Sequence, residues 1–269
     1  HSLPGLLRPR RINNVSSSTI RNPGGTCQLH VERSGCRSRK MLRPWILLLL
    51  SVLIFGCDQN QPQPLLRVAT NQWIGYETLY LAKGLGEYQG HPIKLVQMPS
   101  GSDVIHALRN EIIEAAALTL GEAITVHNSG LELQIMLVLD FSHGADVIIA
   151  GSGISDMNSL RGKRIGMEKT AVGYVMLDAA LSASGLLPGD VRITPFTNEV
   201  HEDALLTQQV EAIITFEPSS TRALRGGRGN VLFDSSRIPG RIVDVLAVRK
   251  EIVDQHRDAL DRWIQGHLR

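Results

Sequence analysis

Thr70-Asn71-Gln72-Trp73 closes a short apolar run and brings a hydroxyl, two amides and a flat aromatic face to one place. Ser100-Gly101-Ser102 opens a helical pattern, so free backbone N–H groups and hydroxyls there can hold an anion without any arginine. Thr119 ends another strand-like run, and Thr170-Ala171-Val172-Gly173 opens a later helical pattern as a second candidate anion seat. Glu217 follows a strand pattern and precedes Pro218, where its carboxylate can hold an amine or amidine. Each has a plainer reading. Ser100, Ser102 and Thr170 read as helix caps, the usual task of hydroxyls there; Trp73 reads as edge packing and Glu217 as a hinge or surface carboxylate. The helix-opening seats ask for an anionic group, whereas Glu217 with Trp73 suits an aminopyrimidine or a taurine-like amine. Both cargoes stay open, and a small organic solute bearing a nitrogen donor is the expectation taken forward.

Spacing argues against catalysis. Asp140, Ser142 and His143 are hydrolase residue types, but triads are assembled in space and near-adjacent residues seldom align. There is no G-x-S-x-G elbow. His201-Glu202 lacks the second histidine of a zinc-protease helix, and the nine histidines are nowhere paired at metal-ligand spacing. Residues 84–90 miss the dinucleotide glycine spacing by one, and Gly162-Lys163 lacks the rest of a phosphate loop. No catalytic residue, metal ligand or cofactor is expected. Asp140, Ser142 and Asp146 read as hydrogen-bonding groups at a crossing between lobes, with ligand contact the second reading.

The elements that must position these groups alternate. Residues 65–70, 93–98, 112–118 and 131–139 read as strands, with helices over 76–86, from the Ser100–Asp103 cap onward, and over 121–128. The alternation restarts with a strand at 163–167, a helix over 173–184, strands near 191–194 and 212–216, and helices near 202–209 and 219–225. Such alternation means an α/β fold of parallel or mixed sheets with helices on both faces. A turn-rich passage at 151–156 separates two series, which predicts two lobes whose strand ends face each other across a cleft.

The chain ahead of the lobes has a different character. Met41-Leu42-Arg43-Pro44, a dozen mainly apolar residues and Gly56-Cys57 make a secretory signal, and the apolar stretch falls short of the roughly 20 residues that span a bilayer. Ile54-Phe55-Gly56-Cys57 resembles the lipobox of bacterial lipoproteins, which implies lipidation of Cys57 and a mature chain that starts there; an ordinary signal with an incidental cysteine is the alternative. Residues 1–40 hold eight Lys/Arg and one acid and read as upstream leader. From Cys57 onward, 19 Lys/Arg face 25 Asp/Glu, so the mature chain is mildly acidic and carries no basic patch for nucleic acid. Cys57 is also its sole cysteine, which excludes a disulfide or a thiolate metal knuckle. The expected organisation is leader 1–40, signal 41–56, polar tether 57–64, first lobe 65–148, second lobe 149–240 and a return to the first lobe over 241–269.

A family resemblance rests on residues 73–77 (WIGYE), 115–122 (AAALTLGE), 140–146 (DFSHGAD), 160–166 (LRGKRIG), 215–218 (TFEP) and 238–244 (IPGRIVD). In order and spacing these resemble the solute-binding lipoproteins and periplasmic proteins of ABC importers in the nitrate, sulfonate, taurine and thiamine-pyrimidine-precursor group. The resemblance implies a type 2 periplasmic-binding-protein fold that closes around a small solute and hands it to a membrane permease; Asp58, next to the lipidated residue, resembles the signal that retains lipoproteins at the inner membrane. It implies a return to the first lobe near Val243–Val248, and that family members continue for several helices past the equivalent of Arg269. The residues expected at the ligand are Asn71, Trp73, Tyr76, Ser100, Gly101, Ser102, Thr119, Thr170, Gly173 and Glu217. Enzymes share this scaffold, pyrimidine-precursor synthases among them, so fold alone leaves an enzyme acting on a small metabolite as the alternative.

Overall fold

The computed structural model describes residues 63–227 and 229–269. The leader, the signal stretch, Cys57 and most of the tether lie outside them. Among the described residues no helix is long and apolar enough to cross a membrane.

The first half begins with β1 (Leu66–Thr70), α1 (Glu77–Gly84), β2 (Ile93–Gln97), α2 (Gly101–Arg109), β3 (Ala115–Thr119), α3 (Leu120–Asn128) and β4 (Leu133–Phe141). The second comprises β5 (Asp146–Gly151), β6 (Arg164–Met167), α4 (Ala171–Ala183), β7 (Arg192–Pro195), α5 (His201–Leu206), β8 (Ala212–Phe216), α6 (Ser219–Leu224) and β9 (Gly229–Asp234). The chain then returns through β10 (Val243–Arg249) and ends in α7 (Arg257–His267).

These strands make two five-stranded sheets, ordered β2-β1-β3-β10-β4 and β7-β6-β8-β5-β9. In each, three strands are parallel and the fourth and fifth run antiparallel to their neighbours. The halves exchange strands: β4, at the edge of the first sheet, leads into β5 inside the second, and β9, at the edge of the second, leads back to β10 inside the first. The α/β class and helical layers agree with the sequence pattern. The change of sheet lies at residues 142–145, a few positions before the expected 148/149, because the apolar run after Asp146 is itself a strand of the second sheet.

Alternation along the strands builds a core on each face. Leu66, Val68, Ala115, Ala117, Leu246 and Val248 point to one side of the first sheet, where Trp263 of α7 is fully buried; Ala69, Ala116, Leu118 and Val245 point to the other, under α2 and α3. In the second sheet Ile148, Ala150, Ile165, Ala212 and Ile214 face α4, while Val147, Ile149 and Ile213 face α5 and α6. Strands buried on both faces read as continuous apolar runs, as parallel sheets require.

Ion pairing repeats at the far end of both sheets. The Arg67 amide and guanidinium donate to Glu114, and the Arg164 amide and guanidinium donate to Glu211, each pair 47 residues apart. Arg164 holds the Glu211 carboxyl down to about 2. Each pair joins the start of one parallel strand to the segment entering its neighbour, so it fixes register at the end opposite the site.

The two crossings lie side by side. Ser142 and Ser235 share a hydrogen bond at 2.9 Å, the Gly144 amide donates to Ser235 Oγ at 2.7 Å, and the Ser142 amide donates to the Ile242 carbonyl. Two adjacent, hydrogen-bonded connections thus carry the chain between the sheets, the arrangement of a hinge.

Candidate functional site

The carboxyl ends of β1, β3, β6 and β8 meet the amino ends of the antiparallel strands β5 and β10. Register places Asp244 opposite Thr119 and Asp146 opposite Phe216. A cleft therefore opens where both sheets end, holding about 370 Å³ when the part open to solvent is counted.

Four carboxylates line it: Glu122, Asp146, Glu168 and Asp244, all less than one-tenth exposed. Asn71, Thr119 and Thr170 add neutral polar groups, and Trp73, Tyr76 and Phe216 form the aromatic wall. No Lys or Arg lines the cleft among the described residues. Trp73 and Phe216 meet edge to face at 5.7 Å, one ring from each half.

Each side chain is held by identifiable partners. Thr119 caps α3, accepting from the Glu122 amide while Glu122 accepts from the Thr119 amide, a complete capping box. The Trp73 indole donates to Asp140 at 3.0 Å, and Gly75 is required beside it because a Cβ there would lie 1.8 Å from the Asp140 carboxylate. The Tyr76 hydroxyl donates to Asp244. The Ser102 amide donates across the cleft to Glu168 at 2.7 Å.

Burial raises Asp146, Asp244 and Glu122. Desolvation pushes Asp146 up to about 7, against a hydrogen bond from Ser142 and helped by the charges of Glu122 and Asp140. Desolvation also raises Asp244 well above the carboxylate range, with Asp140 adding to it. Glu122 is raised by burial, opposed by hydrogen bonding from Thr119 and Thr170. Tyr76 is raised by burial and by Asp244. The deeper end of the cleft reaches His201, which burial lowers to about 4, so it is neutral near pH 7. With its Nε2–H donating to the Phe196 carbonyl at 3.1 Å, Nδ1 is an acceptor, buried and without a partner among the described residues.

Of the residues expected from sequence, Asn71, Trp73, Tyr76, Gly101, Thr119 and Thr170 line the cleft, and Gly173 lines its deeper end. Gly173 is also a packing requirement, since a Cβ would sit 2.4 Å from the Glu168 carbonyl. Ser100 is off the lining: it caps α2, bonding the Asp103 amide and carboxylate. Ser102 enters through its amide. Glu217 is also off the lining, since its carboxylate accepts from the amide and hydroxyl of Thr221 in α6. Sequence reasoning missed Glu122, Glu168 and Asp244 and gave Asp146 ligand contact only as a second reading. The T-x-x-E spacing of Thr119 and Glu122 was the available signal for the first. Among the described residues no cluster of three His, Cys, Asp or Glu side chains is arranged to hold a metal.

Comparison with known proteins agrees with this fold. Residues 59–269 match the profile of the NMT1-like family. The chain is 20% identical over 230 residues to the taurine-binding periplasmic protein of Escherichia coli, covering 82% of this chain and 69% of that one. It superposes on the ligand-binding component of an ABC-type import system from Staphylococcus aureus with a TM-score of 0.67 at 21% identity, covering 76% and 72% of the two chains. It also superposes on the alkanesulfonate-binding protein of Xanthomonas axonopodis pv. citri bound to MOPS, with a TM-score of 0.66 at 18% identity and 76% and 73% coverage. These likenesses show a periplasmic-binding-protein fold.

The raised acid at Asp146 has a consequence for stability. Its folded value of about 7 stands above its ordinary 3.8, so folding binds a proton. The stabilisation is full below about pH 4 and fades as pH rises toward about 7. Asp146→Asn removes that titration. In urea denaturation, the stability of the variant relative to the parent should rise across that window; a constant difference contradicts the assignment.

Proposed function

The chain belongs to the NMT1-like family, and from that premise we propose that it is the extracytoplasmic solute-binding component of an ABC importer, one that closes around a small nitrogen-bearing organic solute. One observation carries the cargo class: an interlobe cleft with four buried carboxylates, an aromatic wall and, among the described residues, no lining Lys or Arg. A carboxylate out of water is costly without a counter-charge or donors. A protonated amine or amidine supplies both, and aromatic faces stabilise such cations further.

The mechanism follows from the two halves. Ligand groups that touch Trp73, Tyr76 and Asp244 on one half and Asp146, Thr170 and Phe216 on the other are all engaged only when the halves meet. Binding therefore shifts the hinge toward closure by the difference in contact energy between open and closed states. The closed form is what a membrane permease would recognise. Delivery from a tether suits this role, so Cys57 is assigned as the lipid attachment that keeps the protein at the outer face of the inner membrane.

Two measurements test the reading. Calorimetry against amines, amidines and aminopyrimidines should find at least one that binds with proton release, because a cation lowers the raised acids. Asp146→Asn should weaken that solute more than about tenfold, while Glu217→Gln, whose carboxylate serves Thr221, should leave it unchanged. Selective binding of nitrate or a simple sulfonate instead would refute the cargo class. For the anchor, mass spectrometry of the product secreted by a bacterial host should show acyl mass on Cys57, and Cys57→Ser should release the protein from the membrane fraction. An unmodified cysteine would remove the anchor and leave the receptor reading intact.

A further inference from the structure

The amino end of α2 is the kind of place where an anionic solute is held: a nine-residue helix, Gly101 at its first position and in the lining, and the Ser102 backbone N–H directed at a cleft group. That place is already taken. Glu168, carried on the opposite half just after β6, puts its Oε1 2.7 Å from the Ser102 amide. Its side chain is buried, and it packs beside Gly101, where a Cβ would lie 3.9 Å from that oxygen, in ordinary contact. The same Cβ would lie 3.9 Å from Glu122 Oε1, so the two carboxylates approach α2 together.

We infer that Glu168 is the specificity-determining residue of the cleft: an internal anion that fills the helix seat, excludes anionic solutes and reserves the remaining space for cations. An incoming sulfonate or sulfate would have to displace Glu168 from its donor and leave it buried beside Glu122, with no lining Lys or Arg to compensate either charge. A cationic solute displaces nothing and gains from both acids. Because the bond runs from one half to the other, it also supplies part of the closing contact that an anionic ligand would otherwise provide. The inference rests on the reading of this cleft as the solute site.

The test uses the purified chain, its Glu168→Ala and Glu168→Gln variants, and sodium methanesulfonate as probe. Binding is followed by calorimetry and by the NMR shift of the Ser102 amide, with circular dichroism melts to confirm folding. The parent should show no saturable binding and no Ser102 shift. Glu168→Ala should bind at least about tenfold more tightly than the parent, with the Ser102 amide moving on saturation. Glu168→Gln keeps the volume and an acceptor for Ser102, so it stays folded and gains less. Saturable binding to the parent at Ser102, or no gain in a folded variant, overturns the inference. If a nitrogen cation still binds the parent and the variants while methanesulfonate binds none of them, the role of Glu168 falls and the receptor reading stands. If neither class binds any of them, both fall.

Discussion

Four carboxylates crowded into one water-poor cleft set the terms for everything else in this molecule. Like charges at close range in low dielectric resist joint ionisation, and the protein answers locally with donors: the Thr119 amide for Glu122, the Tyr76 hydroxyl for Asp244 and the Ser102 amide for Glu168. Those donors are too few to discharge the cluster, which is why burial still drives Asp146, Asp244 and Glu122 upward. What the cluster lacks is a positive or donor-rich partner of small size. The cargo assignment is a statement of that electrostatic deficit.

The fold creates the deficit by strand direction. Carboxyl ends of parallel strands bring Asn71, Thr119 and Glu168 to the junction, as open α/β sheets do generally. The exchanged antiparallel strands run the other way, so their opening residues arrive at the same place: Asp146 is the first residue of β5 and Asp244 the second of β10. The same exchange makes the hinge, since the two connections that carry the chain between sheets lie together at Ser142 and Ser235. Recognition and closure thus follow from one topological feature. Meanwhile the Arg–Glu pairs at the opposite ends hold strand register away from the site, leaving its charges to the ligand.

Much of this was readable in the sequence, and the misses have physical causes. The capping serine at Ser100 and the parallel strands were legible because caps and apolar runs are local. Asp146 to Gly151 escaped as a strand because its run abuts the turn-rich 151–156 passage, and the edge strand β9 carries only an interrupted apolar pattern. The acids escaped for a different reason: periodicity does not report strand direction, and Asp244 faces the cleft only because β10 runs antiparallel to β3. Glu217 misled for the complementary reason. Its place after a strand suggested the cleft, but Thr221, one helical turn on, claims its carboxylate.

A crystal structure of the protein with the solute it retains through gentle purification shows what neutralises the buried acids. The expected density is a nitrogen-bearing solute with an N–H or cationic group within about 3 Å of Asp146, Asp244 or Glu122, and Glu168 still seated on the Ser102 amide. A sulfonate or nitrate resting on that amide, with Glu168 turned aside, would contradict it.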